Sequence, residues 1–157
     1  MSGHSIVVIC LLSSFAILDL RDNGGQSPLF IASMSGHCDV VKCLLSSDVD
    51  INLRDEDGQS PLFIASMSGH SIVVKCLLSS GVEINWCDDN GQSPLFIASM
   101  SGHCDVVKCL LSSGADINLC DDNGQLPLFA ASISGYCDVV QCLLSSGANI
   151  NWCDEKV

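Results

Sequence analysis

Thiols and imidazoles are the groups in this sequence best able to hold a metal or attack a substrate, and it carries eleven cysteines and four histidines. Zinc sites and disulfide scaffolds need cysteine spacings that let side chains converge. Here the spacings are long and regular. Cys10, Cys43, Cys76, Cys109 and Cys142 stand 33 residues apart, each inside an apolar V-V-x-C-L-L pattern (I-V-V-I-C-L-L at the first) where a thiol serves as a small hydrophobe. Cys38, Cys104 and Cys137 each lie five residues before one of these, and five helical steps turn about 140° away from the starting face. Such pairs do not converge, and no C-x-x-C occurs. The expectation is reduced core thiols, with no metal, no cofactor and no disulfide framework. Cys87, Cys120 and Cys153 recur once per period; packed helices lie about 8–10 Å apart, beyond the roughly 7 Å Cα reach of a disulfide, so these too are expected to stay free.

His4, His37, His70 and His103 also share one register, and no second residue type joins them as a base–nucleophile pair requires. The recurring Ser-Pro is a helix start rather than a nucleophile elbow. The chain reads as non-enzymatic.

The element that must position these groups is a repeat. The residues GQSPLFIASMSGH fill 25–37 and return verbatim at 58–70 and 91–103. At that period the chain divides into units 22–54, 55–87, 88–120 and 121–153, with a half unit at 1–21 and a stub at 154–157. Gly25, Gly58, Gly91 and Gly124 permit a tight turn. Ser27, Ser60 and Ser93 are N-cap residues, and the proline after each has the φ of the first helical position. A short helix therefore starts at Pro28, Pro61 and Pro94 and stops at Gly36, Gly69 and Gly102, residues suited to a left-handed C-terminal cap. In the fourth unit Leu126 replaces the serine. A second helix follows, with Val40, Val41, Leu44 and Leu45 forming a stripe of helical period. Gly81, Gly114 and Gly147 cap it in later units, where the first has Asp48. The remaining residues form a projecting loop. One helix pair is too small to bury its own stripe, so the units must stack and share an elongated core.

With 157 residues, 48% of them hydrophobic and 15% charged, the chain has room for one packed domain. A net charge of −12 and unclustered Lys and Arg leave no phosphate-tracking surface, so no nucleic-acid partner is expected. The apolar stretch 6–18 lacks a positive flank and a cleavage signal and is too short to span a bilayer. It matches the second half of a unit, as MSGHSIVVICLLSS beside MSGHSIVVKCLLSS at 67–80. A cytoplasmic setting is expected, without membrane insertion or secretion.

Ser27-Pro28-Leu29-Phe30-Ile31-Ala32 and its copies, followed by the G-H-x-x-V-V-x-x-L-L-x-x-G-A-D-I-N pattern complete at 102–118, resemble the ankyrin repeat, whose 33-residue unit carries T-P-L-H-x-A. The resemblance covers essentially the whole chain. Phe30, Phe63, Phe96 and Phe129 stand where that family usually has histidine, so its side-chain hydrogen bonds are absent and an aromatic ring must be housed. The resemblance implies an all-α solenoid of stacked helix–turn–helix units with projecting β-hairpin-like loops. It also implies a protein–protein interaction module, a scaffold or adaptor, contacting its partner through the concave face and loop tips. Carried onto this sequence, the contact positions include Gln26, Met34 and Arg54, then Glu56, Asp57, Gln59 and Met67. In the next units they include Asp89, Asn90, Gln92 and Met100, then Asp122, Asn123 and Gln125.

The acids Asp22, Asp50, Asp55, Glu56, Asp57, Glu83, Asp88, Asp89, Asp116, Asp121 and Asp122 all fall in loops, whereas Lys42, Lys75 and Lys108 fall on second helices. One edge should be negative and suited to a partner with a basic patch, although aspartate is also an ordinary turn residue. Met34, Met67 and Met100 either adapt to an apolar partner or pack on the neighbouring helix. Trp86 and Trp152 alternate with Leu53 and Leu119, as anchors or as cover for the core's edge. The chain opens in mid-unit and closes at the start of another, which reads as a piece of a longer array with uncapped faces that favour head-to-tail self-association. The alternative function is then a substrate-recruiting or regulatory fragment of a larger multidomain protein, such as a ubiquitin-ligase adaptor, kinase or channel.

Overall fold

Each unit starts its first helix at the Ser-Pro pair. In the computed structural model, which describes residues 20–47 and 49–150, Ser27, Ser60 and Ser93 hold extended backbone and their Oγ atoms accept from the amides of Phe30, Phe63 and Phe96 at 3.1–3.2 Å. His4, Cys10, the stretch 6–18, Asp48, Trp152, Cys153 and the stub lie outside the described residues.

Eight helices form among the described residues, two per unit. They are α1 Pro28–Met34 and α2 Cys38–Leu45, α3 Pro61–Met67 and α4 Ser71–Ser79, α5 Pro94–Met100 and α6 Cys104–Ser112, then α7 Pro127–Ser134 and α8 Cys137–Ser145. The two helices of a unit pack on each other, the first helices stack in one row and the second helices in another. One continuous core runs between the rows, with Leu29, Val41, Leu62, Val74, Leu95, Val107, Ala131 and Leu143 all buried. The architecture is the all-α stacked solenoid expected.

Stacking houses the aromatic ring. Phe30, Phe63 and Phe96 are each 1% exposed, whereas Phe129 is 53% exposed. The histidines hook one unit to the last: His70 and His103 bring Nε2 to 3.0 Å from the carbonyls of Met34 and Met67. A carbonyl only accepts, so Nε2 carries the proton in that bond. The glycine closing the first helix of the first three units, Gly36, Gly69 and Gly102, is needed twice over. Gly69 has φ +77°, and a Cβ built there would lie 2.7 Å from the His103 ring.

The projecting loops depart from the β-hairpin expectation in one respect. Each closes a tight turn, as where Asp55 N donates to Gln59 O and Gly58 N to Asp55 O, yet no strand forms among the described residues. One backbone bond links each tip to the next: Glu56 N to Gly24 O, Asp89 N to Asp57 O and Asp122 N to Asn90 O, all 3.1 Å. Deeper in the loops, Asn52, Asn85 and Asn118 accept through Oδ1 from the backbone amides of Glu83, Asp116 and Asn149 in the following unit. These bonds fix the register of the loop row.

Candidate interaction surface

The loop acids divide into two sets of different work. Asp88 Oδ1 accepts from the amides of Asn90 and Gln92 at 3.0 and 2.8 Å, and Asp121 does the same with Asn123 and Gln125. Asp22 and Asp55 close their turns likewise. Asp88 and Asp121 are buried. A carboxylate that satisfies two backbone donors holds the turn, so the rim of loop acids read from the sequence thins at Asp88 and Asp121, while Asp55 is half-buried and Asp22 stays exposed. Glu56, Asp57, Asp89 and Asp122 are exposed beside them at the tips, and Asp50, Glu83 and Asp116 are exposed farther along the loops. Asn90 and Asn123 are also exposed at the tips, and each side-chain amide donates back to the turn aspartate.

Gln26, Gln59, Gln92 and Gln125 are half-buried at the foot of each turn, their carbonyls accepting from Asp22, Asp55, Asp88 and Asp121. Met34 and Met100, in the last turn of α1 and α5, are 37% and 38% exposed, and Met67 is half-buried. The methionines are therefore part packed and part exposed. On the other side Lys42, Lys75 and Lys108 are exposed on the second helices.

Arg54 is engaged within the array. Its Nε donates to Gly58 O at 2.6 Å and an Nη donates to Cys87 O at 2.8 Å, with Asp89 Oδ1 3.5 Å away. The guanidinium also lies over the Trp86 ring, 5.4 Å from its centroid. Trp86 remains 42% exposed, so it presents an aromatic edge backed by a cation. Sequence reasoning placed both residues in the loops and missed their pairing, which the repeat alone does not signal.

The thiols need correction. Cys43, Cys76, Cys109 and Cys142 are half-buried rather than part of the core, although Cys76, Cys109 and Cys142 pack against its edge. Cysteines that point apart within a unit meet across units: Cys38 Sγ lies 3.6 Å from Cys76 Sγ. Burial, then the contact with Cys38, pushes the Cys76 thiol above its ordinary range. Burial and the neighbouring Asp88 do the same to Cys87. Among the described residues no cluster of three or more His, Cys, Asp or Glu is placed to hold a metal, and no helix is long and apolar enough to cross a membrane.

A family model described as ankyrin repeats (3 copies) matches residues 1–55 and 62–154, and a second, ankyrin repeats (many copies), matches residues 39–78. No curated protein matches the chain significantly.

Proposed function

Because the chain belongs to the ankyrin-repeat family, whose repeats are generally protein–protein interaction modules, we propose that it is a non-enzymatic cytoplasmic scaffold or adaptor. Its partner is a protein with a basic patch, bound along the loop tips and the adjoining concave face. The observation that carries this reading is the row of outward acids Glu56, Asp57, Asp89 and Asp122, exposed on tips that backbone bonds hold in register. Beside them, half-exposed Met34, Met67 and Met100 supply adaptable apolar contact. A rim of charge steers a basic partner and a thioether row completes the fit.

The test is selection of binders from a random peptide library, followed by affinity measurement at low and high salt. Basic peptides should be enriched, and their binding should weaken with ionic strength. Reversing charge at Asp57 and Asp122 should weaken it strongly, while Lys42→Glu and Lys75→Glu should not. Selected peptides that bind all these variants equally would overturn the reading.

A further inference from the structure

We propose that Cys38 with Cys76, and Cys104 with Cys142, form two cross-repeat dithiol sites that close reversibly into disulfides, stapling the first unit to the second and the third to the fourth. Cys38 opens α2 and Cys76 lies within α4, and these helices pack together. The two sulfurs are 3.6 Å apart and both residues are half-buried, so the pair is assembled and remains within reach of a small reagent. A disulfide bond is about 2.05 Å long, so closure asks for about 1.5 Å of sulfur movement, which side-chain torsions supply.

The arrangement recurs at the same register. Cys104 opens α6, Cys142 lies within α8, and both line one open groove with Lys108. Cys104 Sγ lies 3.8 Å from the Asp138 carbonyl of the next unit, and burial, then the neighbouring Cys104, pushes the Cys142 thiol up while Lys108 acts against that rise. Lys42 opposes the rise at Cys76 in the same way. At the joint between the second and third units Ser71 takes the place of the first cysteine, so Cys109 has no thiol at that register. Units stapled in pairs, with an unstapled joint between the pairs, are the result.

The chemistry balances with a low-molecular-weight disulfide, such as glutathione disulfide, as oxidant. The Cys38 thiolate attacks one of its sulfurs and expels one thiolate, leaving a mixed disulfide. The Cys76 thiolate then attacks the Cys38 sulfur and expels the second. Two cysteine S–H bonds are replaced by one S–S bond, the reagent is reduced to two thiols, and the two cysteine protons end on the two expelled thiolates.

The full chain is equilibrated in glutathione buffers of increasing oxidation, its free thiols are alkylated, and a non-reducing digest is analysed by mass spectrometry. Links Cys38–Cys76 and Cys104–Cys142 should appear together, with Cys109 alkylated throughout, and Ser71→Cys should add a third link, to Cys109. Phenylarsine oxide, which bridges two close thiols, should bind the reduced chain at two equivalents, falling to one in Cys38→Ser. Serine at 71 occupies the same register, so that variant keeps the fold. The proposal is overturned if all four cysteines stay alkylatable in the most oxidising buffer. It is equally overturned if links spread evenly to Cys87 and Cys120, or if the same links form as fast in urea.

Discussion

Leu126 takes the N-cap place of α7 with φ −87° and ψ 158°, and its side chain caps no amide, unlike the serines of the other three units. Capping alone makes Leu126→Ser stabilising by about 0.5–2 kcal/mol, and from sequence a higher melting temperature is the expected outcome. Burial reverses the sign. Leu126 is only 6% exposed, in a recess it shares with Leu128 and Phe129. Losing a buried leucine side chain forfeits about 1.5–3 kcal/mol before any cavity term. The balance is a loss of about 1 kcal/mol, which in a chain of this length lowers the melting temperature by about 2–4 °C. Leu126→Ala separates the two effects, because it removes the same burial and adds no cap. Stability measured by urea unfolding, at unchanged m, should fall in the order wild type, serine variant, alanine variant, with serine above alanine by about 1 kcal/mol. A serine variant more stable than wild type would refute the weight given to burial, and serine equal to alanine would refute the cap.

Gly69→Ala meets both a left-handed backbone and the His103 ring, whereas Gly81, at φ +82°, has nothing within 4 Å of an added Cβ. Thermal melts should therefore show a cost of about 1–2 kcal/mol for Gly81→Ala and about 1 kcal/mol more for Gly69→Ala; equal costs would mean the histidine hook carries no weight. Asp88→Ala strips the acceptor from two backbone amides and should destabilise by about 1–3 kcal/mol, while exposed Asp122→Ala should stay within about 0.5 kcal/mol in the same denaturation assay. Phe129 and Ile133 are 53% and 68% exposed on α7, so sedimentation should show concentration-dependent association that Phe129→Ser with Ile133→Ser weakens. A strict monomer over about a hundredfold concentration range would contradict it.

Helix starts and stops were legible because each marker residue has one physical use there. A serine before proline caps, and a glycine after the last turn supplies positive φ, as at Ser60 and Gly69. The loop acids were legible only as a group. Asp88 and Asp89 are adjacent and chemically alike, and only the closed turn buries one and exposes the other. The thiol pairs escaped because helical angles were compared within one unit, while contact occurs one period plus five residues away, between different helices. The phenylalanine that replaces the family's histidine was visible as a departure, but that three of the four rings would vanish into the stack depends on the neighbouring units. Arg54 looked like a surface charge for a partner because its hydrogen-bond acceptors and the Trp86 ring belong to the next unit.

The central claim, that the loop tips and the methionine row receive a basic protein segment, is tested most directly by NMR titration of the chain with a library-selected basic peptide. Perturbed signals should be the methyls of Met34, Met67 and Met100 and the amides of 56–57, 89–90 and 122–123, fading together as salt is raised. Perturbations confined to the second helices around Lys42, Lys75 and Lys108, with the tips unmoved, would contradict the claim.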